Sequence, residues 1–190
     1  MATTIIYAHP YEGSFNHAIL QETQKLLAAK NEACRVIDLY AEGFNPVYSK
    51  EELALFNQGQ ALDPSVQKYQ QMIKESRRLI FIFPIWWSGM PAILKGFIDR
   101  VFAADFAYSY KKVGLQGHLQ GKSGWIIVSH NTPGFALPFV QDYGKVLKNQ
   151  ILKLCGISPV KLTELNGVER KTDQQRQEML KKIGQLASQI

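Results

Sequence analysis

The stretch that most restricts how this chain can fold is Leu79-Ile80-Phe81-Ile82-Phe83, an unbroken apolar run between the pair Arg77-Arg78 and Pro84. It is too short for an ordinary helix, and its β-branched and aromatic content suits a strand covered on both faces. Strands of that kind belong to parallel sheets packed between helices. Proline has no N–H to give to a ladder, so pairing is expected to end at Pro84. Ile85, Trp86 and Trp87 come next, large apolar groups where a connecting loop is normally polar. Ser88 and Gly89 follow, and Pro91 stands where a first helical turn accepts proline. Ile93, Leu94, Phe97, Ile98 and Val101 then recur at helical spacing, which predicts a helix over 92–102. The expected unit is a buried strand that delivers two indoles to a sheet edge.

The rest of the chain repeats this alternation. Strands are expected over 3–8, 34–39, 123–129 and, weakly, 159–162. Helices are expected over 17–30, 49–56, 65–76, 138–154 and 172–188. Ser14 or Asn16 caps the first of them, Ser49-Lys-Glu-Glu52 fits a capping box, and Asp63-Pro64 opens the third. The segment 103–122, rich in aromatics and glycine, is long for a loop inside a compact domain and reads as functional. Strand–helix alternation argues a single α/β domain over 1–190 with helices on both faces of a mostly parallel sheet. Five strands suit the flavodoxin-like order 2-1-3-4-5, in which ligands bind where the strand order reverses. That switch point would gather the loops 9–16 and 84–89, with 130–134 alongside.

Composition narrows the function classes. With 46% apolar and 20% charged residues the chain matches an ordinary soluble globular protein. The net charge of +6 is scattered, with pairs such as Lys111-Lys112 and Lys181-Lys182 rather than a block. A solvated surface, not a nucleic-acid interface, is the expectation. Cys34 and Cys155 match no metal spacing and read as thiols in a reducing compartment. The first residues lack a signal-peptide pattern, and the longest apolar run is about half of a membrane span. A cytoplasmic protein with no metal and no membrane insertion is expected.

The three loops carry the chemistry. Ser14, Phe15 and Asn16 fall at a helix N-terminus, where unpaired N–H groups favour an anion, and His9 stands beside them. Plain helix capping accounts for the same residues equally well. Trp86 and Trp87 form either a wall for a flat heteroaromatic ring or a subunit interface. Asn131, Thr132 and the N–H of Gly134 offer polar partners for a ring edge, or form a simple Pro-Gly turn. There is no Gly-x-Gly-x-x-Gly and no Walker lysine, which excludes the usual dinucleotide and nucleotide triphosphate signatures. A phosphate cradle, a stacking wall and hydrogen-bond donors together are what a flavin mononucleotide requires.

Two stretches add a resemblance. Ala8-His-Pro-Tyr-Glu-Gly-Ser-Phe-Asn-His-Ala18 and Phe83-Pro-Ile-Trp-Trp-Ser-Gly-Met-Pro-Ala-Ile-Leu-Lys-Gly-Phe-Ile-Asp-Arg-Val-Phe102, continued by Asp105-Phe-Ala-Tyr-Ser-Tyr110, resemble the NAD(P)H:quinone oxidoreductase family of flavodoxin-fold enzymes. The resemblance implies FMN as cofactor, with FAD the alternative, and NAD(P)H as cosubstrate. It implies two-electron hydride transfer to quinones or similar flat acceptors by ping-pong kinetics. His9, Ser14, Phe15 and Asn16 would hold the flavin phosphate. Pro84, Ile85, Trp86 and Trp87 would line its ring, and Asn131, Thr132 and Gly134 its pyrimidine end. Tyr108 and Tyr110 would reach the substrate across a homodimer interface. Two departures stand out. A Gly-Gly pair reads Pro133-Gly134 here, and Phe139 and Lys145 stand where some members place a tyrosine and a histidine. Tyr143 is the nearest replacement for a catalytic side chain. Some members instead serve as ancillary subunits of potassium-efflux systems, which is the alternative reading.

Overall fold

The structure, a computed structural model, describes residues 2–133, 135–136 and 142–187. Strands β1 (Ala2–Tyr7), β2 (Cys34–Asp38), β3 (Ser76–Pro84), β6 (Ser123–His130) and β7 (Val160–Asn166) form one parallel sheet in the order β2-β1-β3-β6-β7. Counting only these strands, the order is the expected 2-1-3-4-5. The remaining two, β4 (Tyr108–Tyr110) and β5 (Leu115–Gly117), make a separate antiparallel hairpin inside the long segment 103–122.

β3 lies at the centre, and its alternation builds both cores. Leu79, Phe81 and Phe83 face one side, together with residues of α3 (Pro64–Glu75) and α4 (Ala92–Val101). Ile80 and Ile82 face the other, against α1 (Phe15–Ala29) and α5 (Asp173–Ala187). All five side chains are at most 1% exposed, and burial of each contributes about 1.5–3 kcal/mol. The short helix α2 (Lys50–Ala54) carries the expected capping box, with Ser49 and Glu52 bonding reciprocally.

Most boundaries shift by one or two residues from the sequence expectation, and those of β3 and β7 have identifiable causes. β3 starts at Ser76 because Arg77 and Arg78, which read as surface residues, clamp the carboxylate of Glu32 and let the strand run on. It also continues through Pro84, and the next N–H, that of Ile85, donates to Ser129 O at 2.8 Å. β7 extends to Asn166 because an edge strand with one neighbour tolerates polar residues such as Thr163 and Glu164. After β6 a wide helical turn spans Leu147–Leu152 and Gly156 (φ 93°) follows it, while 137–141 lie outside the described residues.

Candidate functional site

The C-terminal ends of β1, β3 and β6 open on a cleft of about 370 Å³ at the reversal of strand order. His9, Ser14, Phe15 and Asn16 line it from the β1–α1 loop, and Pro84, Ile85 and Trp86 from the loop after β3. Ser129, His130 and Asn131 form the β6 side, and Val168 and Glu169 close it from beyond β7.

At the first wall, Ser14 is the residue that caps α1, its Oγ accepting from the His17 N–H at 3.1 Å. No acidic residue stands in the first turn, so no side chain of that turn offsets the positive end of the helix. Asn16 lies inside the helix and is 3% exposed. Its Nδ2 donates to Ser129 Oγ at 2.8 Å, which ties this wall to the end of β6. Asn16 Oδ1 has no partner among the described residues. His9 Nδ1 accepts from the Tyr11 N–H at 3.1 Å, which places the proton of the neutral ring on Nε2. Burial lowers the His9 pKa, favouring that neutral form.

The second wall is a tight turn in which Trp86 and Gly89 exchange both main-chain hydrogen bonds, at 3.0 and 3.1 Å. Trp87 (φ 49°) and Ser88 (φ 63°) occupy its two central positions in the left-handed region. That is the conformation of a mirror-image hairpin turn, usually filled by Asn and Gly. Each of these residues carries a penalty of about 1–2 kcal/mol relative to right-handed backbone. The turn directs the two indoles apart. Trp86 stays beside His9, ring centroids 6.1 Å apart, whereas Trp87 is 103% exposed. Trp87 therefore does not line the cleft of this chain.

The third wall is only partly as expected. Asn131 lines the cleft, and its Oδ1 accepts from the Glu169 N–H at 3.0 Å. Thr132 turns away into an adjoining hollow that contains Arg170 and Lys171, and its hydroxyl bonds the Tyr143 hydroxyl. Gly134 and Phe139 lie outside the described residues. Tyr143 packs edge-on to His130 with centroids 4.6 Å apart, and its N–H reaches Ser88 O at 3.4 Å, so it links the second and third walls.

Tyr108 and Tyr110 sit elsewhere in this chain. Their rings meet edge to face at 5.6 Å on the hairpin, with Tyr110 66% exposed. Tyr108 borders a separate, mainly apolar cleft of about 390 Å³, with Ile98, Phe102, Ile151 and Leu154. Burial, with Tyr110 beside it, pushes the Tyr108 pKa up. Lys95 and Asp99, which also border this cleft, form an i,i+4 helix ion pair at 2.6 Å. His130 fell in the expected loop 130–134 with no role given to it, and Ser129, Val168 and Glu169 are cleft residues that sequence reasoning missed. Ser129 reads as the end of a buried strand. The last two arrive only because β7 runs on to Asn166 and the Gly167 N–H then donates to His130 O at 2.7 Å.

With this geometry in view, comparison with known proteins is decisive. The family described as "Flavodoxin-like fold" matches residues 1–187. The chain belongs to it. Among solved structures, that of Smu.1420 from Streptococcus mutans UA159 is 56% identical over the whole of both chains, with a TM-score of 0.92. An uncharacterized NAD(P)H oxidoreductase of Haemophilus influenzae is 30% identical over 95% of this chain and 91% of its own length. The NAD(P)H dehydrogenase (quinone) 1 of Cavia porcellus is 33% identical over 66% of this chain, which spans only 51% of that relative. The names of the last two agree with the resemblance read from the two motifs. Among the described residues no helix is long and apolar enough to cross a membrane, and no cluster of His, Cys, Asp and Glu could hold a metal.

Proposed function

We propose that this chain is a flavin-dependent oxidoreductase that moves two electrons, as hydride, from NAD(P)H to a quinone or another flat acceptor, with FMN as its cofactor. The observation that carries the reading is the convergence of three loops on one cleft at the strand-order reversal. The residues there fit the group: a helix whose first turn carries no acid, an indole beside His9, and buried polar atoms on Asn16 and His130 that have no partner among the described residues. Relatives named as NAD(P)H oxidoreductases support the same assignment.

Ser14 and the N–H groups of Phe15 and Asn16 would take the cofactor phosphate, where hydrogen bonds and the helix dipole act together. Pro84, Ile85 and Trp86 would flank the flat ring, while Asn131 would address its polar rim. A bound flavin supplies the hydride chemistry, and the protein supplies binding, orientation and exclusion of water. Donor and acceptor would use one ring-facing space in turn, hence ping-pong kinetics. The unit would be a homodimer. Leu115, Leu154 and Tyr110 are exposed beside the apolar cleft, and a second copy seated there would cover them and bring Tyr108 and Tyr110 toward the partner's cleft.

The test is titration of flavin-free protein with FMN and with FAD, followed by steady-state turnover with NADH or NADPH and a quinone. Saturable FMN binding and parallel double-reciprocal plots are expected. Protein that binds neither flavin would overturn the proposal.

A further inference from the structure

The cleft that would receive a phosphorylated cofactor contains neither lysine nor arginine among its lining residues. Its side chains able to become cations are His9 and His130, and their situations differ. His9 is only partly buried, and its Nδ1 is engaged by the Tyr11 N–H. His130, the last residue of β6, has a side chain 2% exposed, and neither ring nitrogen has a partner among the described residues. A neutral imidazole presents one donor and one acceptor, and burial with both unmet is costly. Such a group calls for an explanation other than packing.

The surroundings of His130 supply one. Its Nε2 stands 4.0 Å from Glu164 Oε2, too far for a hydrogen bond but close enough for a charge on the ring to be strongly felt. Glu164 faces it from β7, and Tyr143 lies edge-on from the segment after β6. Glu169 and His9 lie across the cleft. Burial pushes the His130 pKa below its ordinary value of 6.5, so the ring is neutral at pH 7 in the free protein. A carboxylate therefore waits beside an imidazole that burial alone keeps uncharged.

We infer that His130 is the proton-linked group of the cleft: it takes a proton from solvent as an anionic ligand enters, and Glu164 receives the resulting imidazolium as its ion-pair partner. An anion in the same cleft adds to the negative potential of Glu164 and favours the charged form. The proton comes from water, and no bond in the ligand changes. Affinity for the anion is then highest at low pH. It declines as pH rises from the free-protein pKa, below 6.5, to the higher value that the ring has in the complex. Only the identity of the anion, the FMN phosphate, rests on the functional reading above.

The test follows the imidazole itself. With four histidines in the chain, 13C-labelled histidine gives few signals, and His130→Gln assigns the one that matters. On saturation with FMN the His130 pKa should rise by about one unit or more. Across a pH range that starts below the free-protein pKa and ends above that of the complex, the wild type should then lose about tenfold more FMN affinity than His130→Gln, since one unit corresponds to a factor of ten. The titration of the FMN phosphate is common to both proteins and cancels. Glu164→Gln, at a partly exposed position, should bind FMN yet show a smaller rise, and it decides the matter with the wild type if His130→Gln does not fold. FMN bound with the His130 pKa unmoved or lowered would overturn this inference alone. Failure to bind FMN at all would overturn the functional reading with it.

Discussion

Two buried polar regions of this protein have opposite solutions. Around Arg100, 3% exposed, the fold pairs the charges: Nη2 reaches Glu52 at 2.5 Å and Asp63 at 2.8 Å, and Nη1 donates to Asn45 O, while Nε has no partner among the described residues. Asp63 also caps α3 through the Ser65 N–H. Burial would raise the Asp63 pKa, but the Ser65 bonds and the Arg100 guanidinium outweigh it and hold the carboxyl below its usual range. At the ends of β1, β3 and β6, by contrast, Asn16 Oδ1 and both His130 nitrogens have no partner among the described residues. The first cluster staples 45–63 onto α4, so it is framework. The second has polar capacity that folding does not consume, and that is where recognition of a ligand is to be expected.

The contrast can be broken by substitution. Arg100→Met should have the largest effect, a loss of about 3–5 kcal/mol in urea unfolding, because Glu52 and Asp63 would be left without their cation. A loss under 1 kcal/mol would mean that the cluster is not framework. Ser14→Ala should cost about 1 kcal/mol through the lost cap, and should weaken FMN binding as well. Unfolding changed with FMN affinity intact would make Ser14 a cap and nothing more. His130→Leu should have the smallest effect, within about 1 kcal/mol of wild type without ligand, since replacing an unsatisfied polar group by an apolar one is close to neutral. A loss above 2 kcal/mol would move His130 into the structural class.

Much of this organisation could be read from the residues, and the failures have physical causes. The run Leu79–Phe83 located the central strand, and strand–helix alternation located the loops at the switch point, because burial on two faces and period both leave marks in sequence. Arg78 was hidden inside a strand because a charge reads as exposed until its partner, Glu32, is known, and that partner lies 46 residues away. The outward course of Trp87 could not be read, since two consecutive non-glycine residues at positive φ run against local propensity and are held by the bonds between Trp86 and Gly89. Val168 and Glu169 gave no signal because their place depends on how far an edge strand extends. Ser129 and His130 give one that went unused: a polar pair where an apolar strand passes into the loop 130–134 marks the rim of a parallel sheet, where ligands bind.

The mirror-image turn at 86–89 has an optical consequence. The chain holds three tryptophans: Trp125 is sealed within the sheet at 1% exposure, Trp86 is half-covered, and Trp87 is wholly in water. Emission from Trp87 is thus set by whatever touches that corner, and emission from Trp125 is not. In the proposed homodimer, a second copy reaching that corner would shift the Trp87 emission to the blue on concentration, with the buried Trp125 as an internal standard.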